Sequence, residues 1–239
     1  MKLGEENIEI ANPQQAHVAT VLVLDISGSM GEHKKINQLN EGLQLFKEEV
    51  LKDELASKRV DLAVVTFGDK VNIIHKFSSI EDFEPPTLSA GGSTSMGEAI
   101  LAALNLIETR KKEYKSRGIS YYRPWFFMIT DADHRGMDMQ PGDSFWNKVV
   151  GLVHEVEINK KAMIFGVGVE PADMQLLKQI VPPNRPPLKL KKGMFNEMFE
   201  WLSKSLTKVS VSKVGDSIKL DHTGWGEVST EASTEASNY

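Results

Sequence analysis

The chain has 239 residues, 41% hydrophobic and 26% charged, the balance of a globular domain rather than of a disordered or membrane-spanning chain. Its 28 Lys and Arg against 33 Asp and Glu leave a formal charge of −5, which argues against a surface built for nucleic acid or anionic membrane. With no cysteine, disulfides, thiol nucleophiles and thiolate metal sites are excluded.

Residues 1–16 read as a leader without the apolar stretch of a secretory signal, and no run reaches the roughly 18 apolar residues of a membrane span. A cytoplasmic protein without membrane insertion is therefore expected. His17 to Leu24 is a continuous, β-branched run that predicts a strand buried on both faces. It ends in the small polar turn Asp25-Ile-Ser-Gly-Ser-Met-Gly31. Ile36, Leu39, Leu43, Phe46 and Val50 then recur at helical spacing. Val60 to Phe67 and Val71 to Phe77, joined by Gly68-Asp-Lys70, predict a hairpin and hence one antiparallel strand at a sheet edge.

The loop containing Glu84-Pro-Pro86 and Ala90-Gly-Gly-Ser-Thr-Ser95 feeds a predicted helix from Gly97 to Lys115. Pro124 to Thr130 is an apolar strand ending in Asp131-Ala-Asp-His134. A helix through Trp146, Val149, Val153 and Val156 follows, then a strand from Lys161 to Val169. A short helix (Pro171 to Val181), a short strand (Leu188 to Leu190) and a last helix (Met194 to Val209) complete the pattern. The alternation specifies an α/β fold: a Rossmann-like, doubly wound, mostly parallel sheet with one antiparallel edge strand and helices on both faces. The domain is expected over residues 17–209. Residues 210–239 read as a tail, with Val209, Val211 and Val214 as an extra edge strand and the Ser/Thr/Glu/Ala repeat at 229–239 disordered.

In such sheets ligands bind beyond the carboxyl ends of the parallel strands. Three oxygen-rich turns fall there: Asp25-x-Ser27-x-Ser29, the loop with Thr94, and Asp131. Carboxylates and hydroxyls are hard donors, suited to Mg²⁺, with Mn²⁺ or Ca²⁺ as alternatives. This constellation resembles the von Willebrand factor A domain and its metal-ion-dependent adhesion site. Asp25-Ile-Ser-Gly-Ser29 matches the Asp-x-Ser-x-Ser signature, and Thr94 and Asp131 match the second and third loops. The order of elements agrees from about residue 18 to 208. Within that family, Phe83 to Ile100 and Gln44-Leu-Phe46 look similar to the bacterial TerY-like proteins of tellurite-resistance clusters. Family members usually carry Thr-Asp-Gly in the third loop. Here it reads Thr130-Asp131-Ala132-Asp133, and an extra Ser93 precedes Thr94.

The resemblance implies a metal held by Asp25, Ser27, Ser29, Thr94 and Asp131, with an open position for an Asp or Glu of a partner protein. Met30, His33, Met96, Asp133 and His134 are expected to set specificity around it. Ser29-Met-Gly-Glu32 also fits a helix-capping box, which leaves Asp25 and Ser27 unexplained. Ser95-Met-Gly-Glu98 is read as a cap. The basic run Arg110 to Arg117 reads as a solvated helix end. Trp225, between two glycines, is an anchor, either folded back on the domain or inserted in a partner. No nucleophile elbow or phosphate loop occurs. The expected function is thus a non-enzymatic, metal-dependent binding module. By resemblance, a protein kinase and a phosphatase are among its partners in stress response, metal resistance or phage defence. The alternatives are a Mg²⁺-dependent enzyme using Asp133 or His134 as acid/base, and a scaffold with a vestigial site.

Overall fold

Every residue of β1 (Val18–Asp25) is buried, because this strand runs through the middle of the sheet with helices on both faces. Its alternation divides the core: Val18, Leu22 and Leu24 enter one apolar cluster, and Ala19, Val21 and Val23 the other. The computed structural model describes residues 10–133, 136–216, 218–221 and 223–228. After β1 come α1 (Lys35–Leu51), α2 (Glu54–Arg59), β2 (Val60–Phe67) and β3 (Val71–Ser79). Then follow α3 (Met96–Ser116), β4 (Trp125–Thr130), α4 (Ser144–Ile158), β5 (Met163–Val169) and α5 (Met174–Ile180). The last elements are β6 (Leu188–Leu190), α6 (Phe195–Ser210) and β7 (Gly226–Val228).

The strands form one sheet in the order β3-β2-β1-β4-β5-β6-β7. β2, β1, β4, β5 and β6 are parallel, as expected, and β3 is antiparallel to β2. Helices α1 and α6 cover one face and α3, α4 and α5 the other. Contact between α1 and α6 is close enough that a methyl on Gly42 would lie 2.2 Å from the Phe199 ring.

Two expectations need correction. Both sheet edges are antiparallel, not one, because β7 pairs with β6 in the register Leu190↔Gly226. The proposed strand at Val209 to Val214 is absent: α6 continues through Ser210, and Val211 and Val214 are exposed. Instead the chain returns over α6, where the Trp201 indole N–H donates to the Asp221 carbonyl at 3.0 Å, and the segment closes on the sheet at β7. Residues 229–239, read as a disordered tail, lie outside the described residues.

The basic run on α3 is also not uniformly solvated. Arg110 is buried, and its Nη2 and Nε donate to Asp61 Oδ2 at 2.7 and 3.2 Å. Tyr114 donates to the same oxygen, and His17 Nδ1 lies 3.2 Å from it. Burial alone would raise the Asp61 carboxyl, but His17 and the Arg110 charge outweigh it and hold it below its ordinary 3.8. A face of α3 that reads as cationic thus anchors the amino-terminal end of the sheet.

Candidate metal and ligand site

The connections leaving β1 and β4 run in opposite directions along the sheet, which opens a crevice beyond their carboxyl ends. Asp25, the last residue of β1, is fully buried there. Its Oδ1 accepts the Ser27 backbone N–H at 2.8 Å, and its Oδ2 accepts the Thr130 hydroxyl at 2.6 Å. Burial pushes this carboxyl from 3.8 up to about 6, with the nearby Asp131 charge adding to the rise and the Ser27 and Thr130 hydrogen bonds opposing it. The Ser27 and Ser29 hydroxyls lie 3.1 Å apart. Ser29 does not cap the next regular helix: a kinked 3-10 stretch (Gly28–Lys34) intervenes, and α1 starts behind Lys34 with that residue left-handed at φ 61°.

The loop carrying Thr94 is laced to this turn. Gly28 N–H donates to the Gly92 carbonyl at 3.0 Å, and Gly91 N–H to the Ile26 carbonyl at 2.8 Å. Gly92 sits at φ +84°, and a methyl on it would fall 2.3 Å from the Asp69 carboxyl carbon, so only glycine fits. The extra Ser93 has a role here: its N–H and hydroxyl donate to Asp69 Oδ1 at 2.7 and 3.0 Å, tying the loop to the hairpin turn. Those hydrogen bonds hold the Asp69 carboxyl below its ordinary value. Buried Thr94 links onward, its N–H donating to the Gly136 carbonyl at 3.3 Å and its carbonyl accepting from Asp138 at 3.1 Å.

Ser95 stands at the N-cap position of α3, but its side chain makes no capping bond. Its hydroxyl donates to the Asp69 carbonyl at 3.2 Å, and the Asp138 carboxylate instead accepts the Gly97 and Glu98 N–H groups at 2.8 and 2.9 Å. A carboxylate brought from the loop after β4 is the better partner, since it meets two orphan donors and the positive end of the helix together.

In the third loop Ala132 adopts φ 50°, the left-handed conformation that explains the glycine usual in the family. Its methyl is buried in the cluster under α3 and α4, and its N–H donates to the Thr130 hydroxyl at 2.8 Å. Asp131 Oδ1 accepts the Asp133 N–H at 3.3 Å, and Oδ2 accepts the Lys35 ammonium at 2.8 Å. Both members of this ion pair are buried. Sequence reasoning missed Lys35, although a signal was present: Lys35, Leu39 and Leu43 recur every four residues on the inward face of α1. A cleft of about 350 Å³ opens over these loops, lined by Ser29, Lys35, Asp131 and Asp133 with Glu32 and Asp173 at its margin.

The residues expected to face a partner do not all lie at the crevice. Asp133 is half-buried and lines the crevice, whereas His33 is exposed and lines a neighbouring cleft that shares Lys35 and Pro171 with it. Met30 and Met96 are fully buried in opposite apolar clusters, so neither side chain can touch a partner. Trp225 is folded back on the domain, buried with its ring 5.5 Å from that of Trp201. His134 lies outside the described residues.

The donors present fit a hard divalent ion. Asp25 is a buried carboxylate held only by neutral hydrogen-bond donors, with serine hydroxyls beside it. Among the described residues no group of three or more His, Cys, Asp or Glu gathers as a candidate metal cluster, so any such ion would rest on two carboxylates and hydroxyls.

The von Willebrand factor type A domain profile matches residues 20–198, and the chain belongs to that family. No curated protein matches it significantly. Among solved structures it is similar to a von Willebrand factor type A protein from Catenulispora acidiphila (TM-score 0.59, 14% identity, covering 81% of this chain and 43% of that one). It is similar also to the open conformation of the pilus adhesin SpaC from Lactobacillus rhamnosus GG (0.61, 12%, 84% and 31%). The corresponding domain of the type V pilus tip protein Mfa5 from Porphyromonas gingivalis matches at 0.59, with 11% identity over 85% and 99%. The chain thus spans less than half of the first two proteins, and these likenesses establish the fold. Among the described residues no helix is long and apolar enough to cross a membrane.

Proposed function

We propose that this chain is a metal-dependent protein-binding module. Asp25, Ser27, Ser29, Thr94 and Asp131 would hold Mg²⁺, with Mn²⁺ or Ca²⁺ as substitutes, and the ion would supply an electrophilic position for an Asp or Glu carboxylate of a partner. The observation that carries this reading is Asp25: a carboxylate driven up to about 6 by burial, beside serine hydroxyls, at the strand-order reversal of the sheet. His33 and Asp133 flank the approach. Adhesins among the structural neighbours support a binding role. Resemblance to the TerY-like group supports a cytoplasmic, bacterial stress-response setting with a protein kinase and a phosphatase among the partners.

Calorimetric titration of Mg²⁺ and Mn²⁺ into the wild type and Asp25→Ala, followed by affinity capture in Mg²⁺ and in EDTA, tests the reading. Saturable binding lost in Asp25→Ala, together with capture that needs both Asp25 and the metal, is the expected result. A partner set indifferent to EDTA and to the substitution would overturn it.

A further inference from the structure

Lys35 is the feature of the crevice that the metal-binding reading leaves unused. Its ammonium is buried 2.8 Å from Asp131 Oδ2, and it starts a 17-residue helix packed on the core. The resting place of this ammonium is thus beside Asp131, at the border of two clefts. The two carboxylates Asp25 and Asp131 and this ammonium leave the crevice at −1 when all are ionised. A divalent ion brings it to about +1, and one carboxylate from outside restores neutrality. Glu32 is exposed and Asp133 and Asp173 are half-buried along the same cleft, so water screens them more than it screens the buried Lys35–Asp131 pair.

We infer that Lys35 is a resident cation that couples metal and ligand: it weakens binding of the divalent ion alone and strengthens binding of the ion together with a monoanionic carboxylate. The inference rests on the metal-binding reading above. A site without this ammonium would be neutral once loaded and would gain little from an anion. With it, the buried centre of the loaded site, made by Asp25, Asp131, Lys35 and the ion, carries a net positive charge, so the ion and the carboxylate raise each other's affinity by the same factor.

The test measures Mn²⁺ affinity of the full chain by electron paramagnetic resonance, in chloride and in sodium acetate at equal ionic strength. In the wild type, acetate is expected to tighten Mn²⁺ binding by about tenfold. Lys35→Gln is expected to bind Mn²⁺ about tenfold more tightly than the wild type in chloride, with little further gain from acetate. Lys35→Arg, which keeps the charge, should behave like the wild type. Equal Mn²⁺ affinity of wild type and Lys35→Gln in chloride overturns the inference. So does a wild type indifferent to acetate, an arm that stands even where Lys35→Gln fails to fold. Binding abolished by Asp25→Ala but insensitive to the charge at residue 35 refutes this coupling alone. No Mn²⁺ binding in any variant refutes the metal-binding reading with it.

Discussion

Replacing Asp25 by Asn in protein kept free of divalent ions should make the fold more stable at neutral pH. The carboxyl titrates at 3.8 when unfolded and at about 6 in the fold, chiefly because it is buried. Below 3.8 it is protonated in both states and costs the fold no charge burial. Between 3.8 and about 6 the folded chain holds a proton that the unfolded chain has released, so this group's contribution falls as pH rises through that window. Above it the full cost is in place, about 3 kcal/mol at 1.36 kcal/mol per pH unit. That is a large share of the roughly 5–15 kcal/mol that holds a typical domain folded. An asparagine keeps an acceptor for the Ser27 N–H without the charge. Urea unfolding in EDTA, followed by tryptophan fluorescence, should therefore show Asp25→Asn ahead by up to about 3 kcal/mol at pH 7.5, with the lead shrinking towards pH 4. The difference between the proteins is the informative quantity, because Asp61 and Asp69, held low, tilt both curves the other way. A variant no more stable than wild type at pH 7.5, or a lead independent of pH, would refute the reasoning.

Three further outcomes follow from the same geometry. Asp138→Ala strips two acceptors from the start of α3 and should cost about 1 kcal/mol in urea unfolding, whereas Ser95→Ala should cost less. Gly92→Ala forces a left-handed alanine against Asp69 and should lose at least about 1 kcal/mol, with faster amide exchange at Gly28 and Gly91; unchanged exchange there would count against the lacing of the two loops. Trp225→Ala should destabilise by about 3 kcal/mol and, by loosening the segment that packs over α6, speed tryptic cleavage at the already exposed Lys213 and Lys219, so an unaltered digestion rate would contradict the folded-back tail.

The parallel sheet was legible because its central strands are buried on both faces and appear as uninterrupted apolar runs. The candidate site was legible because Asp25 and Asp131 stand immediately at strand ends, where the fold leaves a crevice. The features that escaped depend on long side chains meeting across the fold. Lys35 and Asp131 are 96 residues apart, and Gly97 and its cap Asp138 are 41 apart; periodicity carries no information on either pairing. Local chemistry misled at Ser95, where a capping box was present but a distant carboxylate won both donors. β7 was invisible for another reason: three residues are too few to show alternation, and only its pairing with β6 defines it.

The cap on α3 has a mechanical consequence. This helix is 21 residues long, about 31 Å at 1.5 Å per residue, and behaves as a rod. One end is gripped by Asp138 of the loop that follows Asp131. Towards the other, Arg110 and Tyr114 are clamped to Asp61 beneath the opposite pole of the sheet. A shift of Asp138 therefore either releases the rod or tilts it. Any ligand that drags this loop works against a lever whose fulcrum is the ion cluster at the sheet's far end.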